Sequence, residues 1–209
     1  MKDNTPTKLP QAYARLIDPL LAPLRQRIVD ICKRYGANCV LDICSATGEQ
    51  CILLGRAGIR AVGVDLSEGM VEFARTRKPD TVEFFRQSAL DLDFETDSFD
   101  CVILSMALHE HSHKEQHRMV EEALRVLRPD GVFVLAEYAS PKGFRARLAW
   151  LFIYLIERSA GQKHFRNFRR FVRAGGTDRL KREFTLSVLD GHRFYYSTIE
   201  MEELSVGRP

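Results

Sequence analysis

Two segments of the chain combine carboxylates with small residues in a way that suits a nucleotide-like ligand. The first runs from Asp42 through the loop Cys44-Ser45-Ala46-Thr47-Gly48, whose small side chains let a ligand approach the backbone closely. The second ends in Asp65, 17 residues after Gly48. A carboxylate at the end of a strand can accept hydrogen bonds from both hydroxyls of a ribose. Together the two segments predict a site for an adenosine-containing cofactor.

The hydrophobic pattern predicts the strands that would hold these residues. Five short apolar runs alternate with helical patterns: Cys39–Cys44, Ala61–Asp65, Val82–Arg86, Cys101–Ser105 and Val132–Glu137. Strands and helices that alternate with short connections favour a doubly wound α/β sheet. Because the runs are apolar almost throughout, they fit a mostly parallel sheet with helices on both faces.

Helical periodicity and turn residues account for the segments between the strands. Residues 10–35 predict a helix that Pro19 and Pro23 break into shorter pieces. The other helices are predicted after Gly48, over Ser67–Arg77 with Ser67 as the N-cap, and over about Lys114–Leu127, before the turn sequence Arg128-Pro129-Asp130-Gly131.

The character of the chain changes after residue 141. Two helices are predicted there, over Phe144–Glu157 and Phe165–Arg173. Two strands follow, Phe184–Leu189 and His192–Ser197, with Asp190-Gly191 as the turn of an antiparallel hairpin. The expectation is a single α/β domain with a seven-stranded sheet. It has an N-terminal helical cap (1–36), a cofactor-binding core (37–140), a basic helical lid (141–182) and a terminal hairpin (183–209).

Four segments resemble, in order, the motifs of one family. VLDICSATGE resembles a glycine-rich motif I, and GVDLSEGMVEFAR resembles a second motif. SALDLDFETDSFDCVILSMALHE resembles the stretch through the fourth strand, and EEALRVLRPDGVFVLAEYA resembles the helix, turn and fifth strand after it. Over roughly residues 37–140 the chain thus resembles the Rossmann-like, class I S-adenosylmethionine-dependent methyltransferases. The subgroup it resembles includes menaquinone and ubiquinone C-methyltransferases.

The resemblance implies S-adenosylmethionine as cofactor, S-adenosylhomocysteine as product, and a set of residues around them. Asp42, Cys44, Ala46 and Gly48 would line the methionine part, and Asp65 would hold the ribose hydroxyls. The remaining contacts would be Leu66 and Met70 on the adenine face, Ser88, Ala89 and Leu90 at its edge, and Ser105 and Met106 under the sulfonium.

The chain departs from the family pattern at three of these positions. The family usually has glycine where Cys44 and Ala46 stand, and commonly has aspartate where Ser88 stands. These departures motivate an alternative to the enzyme. In that alternative the chain is a non-catalytic protein that binds S-adenosylmethionine or S-adenosylhomocysteine and has a regulatory or scaffolding role.

Methyl transfer from a sulfonium needs chiefly a well-placed acceptor and exclusion of water, with a base only where the acceptor must lose a proton. The family often has a histidine near His109, which is therefore the candidate base or substrate-orienting residue. Tyr13 and Tyr138 are further substrate-side candidates. His113 and His117 have the spacing of a helical zinc pair, but a solvated polar loop that enters a helix is the favoured interpretation, and no metal site is expected.

The charges are distributed unevenly along a chain whose net charge is +3. Residues 1–140 carry 17 Lys and Arg against 21 Asp and Glu, whereas residues 142–182 carry 12 against two. The apolar run Leu148–Ile156 lies within the basic stretch. We interpret residues 142–182 as a lid, or as a surface for a lipophilic or anionic small molecule at a membrane. Core-packing helices and a homodimer contact are the alternatives, and nucleic acid is not favoured.

The composition excludes several classes of protein. Hydrophobic residues make up 45% and charged residues 28%, which argues against general disorder. The longest apolar run has nine residues, too few to span a bilayer, and the first residues lack the apolar core of a signal peptide. Five cysteines without CxxC spacing suggest buried, reduced thiols. We therefore expect a cytoplasmic protein, with a peripheral membrane location left open.

Overall fold

The five strands predicted over the first 140 residues form one sheet with two C-terminal strands in the computed structural model, which describes residues 9–139, 141, 143–195 and 197–206. Within these residues the strands are β1 (Cys39–Ile43), β2 (Arg60–Asp65), β3 (Val82–Arg86), β4 (Phe99–Ser105), β5 (Leu127–Tyr138), β6 (Leu186–Phe194) and β7 (Ile199–Val206). Their order is β3-β2-β1-β4-β5-β7-β6. β2 pairs parallel with β1 and β3, whereas β7 pairs antiparallel with β5 and β6. The predicted α/β fold with a terminal antiparallel hairpin is confirmed.

The described residues also form eight α-helices and one short 3-10 turn, η1 (Leu108–Glu110). The helices are α1 (Leu9–Leu16), α2 (Asp18–Arg34), α3 (Glu49–Arg56), α4 (Glu68–Arg75), α5 (His113–Val126), α6 (Phe144–Ser159), α7 (Gln162–Arg173) and α8 (Thr177–Glu183). The sequence did not predict α8. Residues 1–8, 140, 142, 196 and 207–209 of the predicted segments lie outside the described residues.

The predicted N-cap of α4 is confirmed, but the predicted helix break at Pro23 is wrong. The Ser67 hydroxyl accepts a hydrogen bond from the amide of Met70, 3.4 Å away. Pro19 lies at the start of α2, where a missing amide costs nothing, but Pro23 lies inside the helix. The helix continues because Leu24, Ile28 and Ile31 on one face are completely buried. Their burial outweighs the local cost of the proline.

The predicted turn at Arg128–Gly131 is also wrong, because these residues belong to β5. Asp100 forms an ion pair with Arg128 and accepts hydrogen bonds from the amides of Asn38 and Cys39, each at 2.9 Å. A Cβ on Gly131 would lie 2.8 Å from the carbonyl oxygen of Asp100. Gly131 therefore serves close approach between backbones, and it does not form a turn.

The hairpin exists, but its turn is not at Asp190-Gly191. β6 continues through both residues, which pair with Glu203 and Glu202 of β7, and Phe194 pairs with Ile199. A two-residue type I′ turn needs positive φ at both central residues, and Gly191 does not have it. The left-handed residues, Tyr195 and Ser197, lie further on, with φ of 51° and 65°. This register buries Met201 and Leu204 of β7 completely.

The chain divides into two compact units, each with its own core. The first unit comprises the described chain up to Ile103 together with Glu122–Val132. In it α3 and α4 pack against β2 and β3. The second unit comprises Leu104–Glu121 and the described chain from Phe133 onward. In it α7 packs against η1 and α6, and α8 packs against β6.

The helix α6 exposes most of its apolar side chains. Phe144 is 77% exposed, Phe152 64% and Leu151 60%, whereas Ala146 and Glu157 are buried. The helix therefore uses only part of its apolar surface for packing within the described residues, where the ring of Trp150 stacks on that of Phe168 of α7, 5.5 Å away. None of the helices in the described ranges has the length and hydropathy of a membrane span.

Candidate functional site

The loop between β1 and α3 has a left-handed backbone at three positions. Cys44, Ala46 and Gly48 have φ of 60°, 47° and 75°. A side chain at Gly48 is also excluded sterically, because a Cβ would lie 2.4 Å from the ring of Phe84 and 2.8 Å from the Cβ of Ala74. Cys44 and Ala46 hold a conformation that costs an L-residue about 1–2 kcal/mol. The loop thus keeps a glycine-type backbone at two positions where the family has glycine.

Asp65 fixes this loop to the end of β2. One carboxylate oxygen accepts a hydrogen bond from the amide of Ala46 and the other from the amide of Ser67, each at 2.9 Å. Each carboxylate oxygen has a second lone pair, so the group can still accept hydrogen bonds from a ligand's hydroxyls. The carboxylate therefore shapes the loop, and its role as a ribose acceptor stays a prediction.

A second anchor reaches the loop from the N-terminal helices. The Thr47 hydroxyl donates a hydrogen bond of 2.7 Å to the Asp18 carboxylate, and Arg25 forms a 2.8 Å ion pair with the same carboxylate. Thr47 is completely buried, and both charged residues are nearly so. The sequence analysis missed this contact, although an acid beside Pro19 at a helix start marks a polar position in an apolar segment.

Asp42 lies in the core of the first unit. Its side chain is buried, and the Cys51 thiol lies 3.8 Å from one carboxylate oxygen. Burial raises the pKa of Asp42 to about 7, although the charge of Arg25 and the Cys51 hydrogen bond lower it. Asp42 is thus a carboxyl group that changes its charge near neutral pH.

The predicted adenine side also belongs to the first unit. Leu66 is 61% exposed at the end of β2, while Met70 is buried on α4. After β3, the amide of Leu90 donates a hydrogen bond of 3.2 Å to the Ser88 hydroxyl, which forms a tight turn with Ala89 between them. The Ser88 hydroxyl is thus engaged locally, and an exposed leucine is free to cover an apolar ring.

The residues of the first unit fit an adenosine-containing methyl donor. The Ser45 hydroxyl is buried and has no hydrogen-bond partner within the described residues. A Cβ on Gly63 would lie 2.5 Å from Phe84 and 2.8 Å from that hydroxyl, so β2 has no room for a side chain here. Small residues, an anchored carboxylate and an exposed apolar side chain match the ribose, the backbone contacts and the adenine of this cofactor.

The second unit contains a buried cluster of histidine and glutamate around His109. Nδ1 of His109 lies 2.9 Å from a carboxylate oxygen of Glu137, and Nε2 lies 3.6 Å from Glu157 and 4.0 Å from Glu110. His164 forms an ion pair with Glu157 through Nε2 and lies 3.8 Å from Glu110 through Nδ1. Three carboxylates therefore surround two imidazoles.

The cluster sets the charge of His109. Burial alone would lower the pKa of His109, but the charge and hydrogen bond of Glu137, with the charges of Glu157 and Glu110, raise it to about 9. A protonated imidazole cannot accept a proton. At neutral pH this geometry favours an orienting or charge-stabilising role over the role of general base.

Tyr138 joins the cluster at the end of β5. Its hydroxyl donates a hydrogen bond of 2.8 Å to Glu157, and its ring lies 4.8 Å from the ring of His109 and 5.4 Å from that of Phe168. The structure thus brings together two of the substrate-side candidates, Tyr138 and His109.

The other predicted residues have less distinctive surroundings. Ser105 ends β4, and Met106 has φ of 53° and donates its amide to Ala136, 2.8 Å away. Tyr13 is half-buried on α1 of the first unit. His113 and His117 lie near Glu183 and Glu121, at 3.5 and 3.4 Å, so they pair with carboxylates individually.

The sequence analysis missed the carboxylates around His109. Glu137 and Glu157 are both buried, yet each follows an apolar run in the sequence. A lone acid in such a run is the signal that could have identified them, because a buried carboxylate needs a partner. His164 gives no such signal, since it lies in a charged segment.

The comparisons with known proteins agree with the fold described above. Residues 40–131 match a family described as methyltransferase domain. An O-methyltransferase family protein from Burkholderia thailandensis superposes with a TM-score of 0.73 at 19% identity, covering 98% of this chain and 62% of that one. These findings support a class I, Rossmann-like methyltransferase.

The curated relatives match a shorter stretch of the chain than the solved structure does, but at higher sequence identity. A demethylmenaquinone methyltransferase of Clavibacter sepedonicus is 41% identical over 90 residues, which are 42% of this chain and 36% of that protein. A ubiquinone/menaquinone biosynthesis C-methyltransferase of Pseudomonas entomophila is 33% identical over 94 residues, 43% and 36% of the two chains. The chain therefore spans about a third of the length of these curated relatives.

A solved neighbour carries the cofactor product. Magnesium protoporphyrin IX methyltransferase from Synechocystis PCC 6803, with bound S-adenosylhomocysteine, has a TM-score of 0.65 at 17% identity over 87% of this chain and 81% of that one. At this identity the likeness concerns the fold alone.

Opposite substitutions in the β1–α3 loop should have opposite effects. Ala46→Gly should raise the free energy of unfolding by about 1 kcal/mol, because it relieves a left-handed alanine. Gly48→Ala should lower it by about 3 kcal/mol or more, because it adds strain and a clash with Phe84. Urea denaturation followed by circular dichroism measures both. A Gly48→Ala variant as stable as the parent would contradict this account of the loop.

The stability of the first unit should depend on pH through Asp42. The folded pKa of about 7 lies above the ordinary value of 3.8 for this carboxyl group, so the contribution of Asp42 to stability is complete below 3.8 and is lost as pH rises through 7. Relative to Asp42→Asn, the parent should lose roughly 1 kcal/mol of unfolding free energy per pH unit in this window. Denaturation at several pH values tests this, with Glu95→Gln as an exposed control. Parallel profiles for the parent and Asp42→Asn would refute it.

Proposed function

We propose that the protein transfers a methyl group from S-adenosylmethionine to a small acceptor that is lipophilic or anionic, such as a quinone-like molecule. The observation that carries the proposal is the position of the Asp65 carboxylate at the end of β2, where it is hydrogen-bonded to the left-handed loop after β1 and to the start of α4. The relatives named as quinone C-methyltransferases support the choice of acceptor class.

Different residues of the chain would bind different parts of the cofactor. Asp65 would accept the ribose hydroxyls, the small-residue loop would lie along the methionine part, and Leu66 would cover the adenine. When bound, S-adenosylmethionine supplies a methyl group that is already electrophilic, so the chain's task is to orient the acceptor and exclude water. Tyr138 and the charged His109 are the candidates for orienting an acceptor oxygen.

The lid region supports an acceptor that comes from a lipid surface. The exposed apolar side chains of α6 are accompanied by exposed basic residues on α6 and α7: Arg145, Arg147, Arg158, Lys163, Arg166 and Arg169. Apolar side chains flanked by cations are the combination that binds anionic membrane surfaces. We therefore extend the proposal to a cytoplasmic protein that contacts the membrane peripherally through this lid.

Removal of the Asp65 carboxylate should abolish cofactor binding. Hydrogen bonds to a charged group contribute about 1.5–3 kcal/mol each, so the loss of two should weaken binding by about 100-fold or more. Calorimetric titration of Asp65→Ala with S-adenosylhomocysteine measures the loss, and Asp93→Ala, an exposed carboxylate, is the control.

Three outcomes of that experiment have different meanings. Unchanged affinity in Asp65→Ala would refute the ribose assignment, provided that circular dichroism shows a folded variant. No binding by the parent chain would reject both the enzyme and the non-catalytic alternative. Tight binding by the parent without methyl transfer to a panel of quinones and phenols would favour the alternative.

The proposed membrane contact should depend on α6. The parent chain should sediment with vesicles containing phosphatidylglycerol, more weakly as salt rises, and less with phosphatidylcholine vesicles. A Leu151→Ser/Phe152→Ser variant should lose most of this binding. Val188→Ser/Leu189→Ser, which changes apolar residues on β6 that are about half exposed, should keep it. Equal losses in both variants, or no binding by the parent, would contradict the proposal.

A further inference from the structure

We propose that His109, His164 and Glu110 bind one divalent transition-metal ion, with zinc or a chemically similar cation as the ligand. One ligand atom from each residue lies within 4.8 Å of the others. The inference concerns the second unit alone and does not depend on the proposed methyl transfer. A metal ion would displace the ring proton of His109, so metal binding is an alternative to the charged, orienting role of this residue.

The first argument is the spacing of the ligand atoms. Nε2 of His109 lies 4.0 Å from one carboxylate oxygen of Glu110, and Nδ1 of His164 lies 3.8 Å from the other. Both distances are too long for hydrogen bonds. Two ligands bound to the same zinc ion at about 2.0–2.1 Å lie about 3–3.5 Å apart. Small movements of the half-exposed Glu110 side chain would therefore complete the coordination.

The second argument is that both imidazoles are oriented in the same way. His109 is bound at Nδ1 by the completely buried Glu137, and His164 is bound at Nε2 by Glu157. The remaining nitrogen of His164 lies 3.8 Å from Glu110, and that of His109 lies 4.0 Å from Glu110 and 3.6 Å from Glu157. Histidines that bind metals usually donate their other ring nitrogen to a carboxylate, which fixes the ring and its tautomer. Here two such histidine–carboxylate pairs lie next to one further carboxylate, that of Glu110.

The third argument is that the surrounding structure holds these residues in place while leaving one side open. The side-chain amide of Asn167 donates a hydrogen bond of 2.7 Å to the carbonyl of Glu110, which ties η1 to α7. Tyr138 holds Glu157 from the other side. The side chains of His109 and His164 are 4% and 18% exposed, whereas that of Glu110 is 49% exposed. Three ligands with an open position are typical of metal sites that bind water or a substrate oxygen.

Titration of the full chain with cobalt tests this inference. After treatment with a chelator, the protein should bind one equivalent of Co²⁺ and develop visible absorption bands that Zn²⁺ removes. His164→Ala and Glu110→Gln should weaken Co²⁺ binding by about 100-fold or more. Glu137→Gln, which keeps the ligands but alters the partner of His109, should weaken it by about 10–100-fold. His117→Ala, which changes an exposed histidine on α5, should have no effect.

The results that would overturn the inference are equally specific. A parent chain without Co²⁺ or Zn²⁺ binding would mean that the cluster is an ion-pair network held by protonated histidine. Equal affinity in His164→Ala and the parent would place any bound metal elsewhere. Circular dichroism of each variant identifies a misfolded one, and Glu110→Gln guards against that outcome because it keeps the size of a half-exposed side chain.

Discussion

The binding loop of the first unit depends on one carboxylate. Asp65 ends β2 and accepts hydrogen bonds from the amides of Ala46 and Ser67, so a single side chain sets both the loop after β1 and the start of α4. These bonds help to offset the strain of two left-handed non-glycine residues. The same group is the predicted ribose acceptor, so the loop shape and the proposed ligand recognition would both rest on one residue.

The second unit depends on a different constraint, which is the excess negative charge of its buried carboxylates. Glu137 and Glu157 are almost completely buried, and a buried carboxylate persists only with a positive partner. His109, His164 and the Tyr138 hydroxyl provide the partners within the described residues. The carboxylates hold η1, α6 and α7 around the two imidazoles, and either protons or a metal ion can balance their negative charge.

Local patterns predicted the elements of the fold well, because strand and helix periods and a serine N-cap are local properties. The errors arose where tertiary packing overrode local preference. Pro23 lies inside α2 because the apolar face is buried, and Asp190-Gly191 lies inside β6 because the register that buries Met201 and Leu204 is more stable. Gly131 allows two backbone segments to approach each other closely. The sequence alone does not distinguish this use of glycine from a turn.

The site was predicted unevenly for the same reason. The resemblance identified Asp65 and the loop because the family motif is contiguous in sequence. The partners of His109 lie 28 and 48 residues away at Glu137 and Glu157, so only the fold brings them together. The exposed face of α6 could not be predicted either, since an apolar run looks the same whether it is buried or faces solvent.

The bond between Thr47 and Asp18 has a consequence for cooperativity. It joins the loop after β1 to the start of α2. These two segments are far apart in the sequence but share one buried hydrogen bond. Loosening either segment exposes a polar group of the other, so the two are expected to open together. A ligand that holds the loop would therefore also slow the opening of the N-terminal helix, although it need not touch that helix.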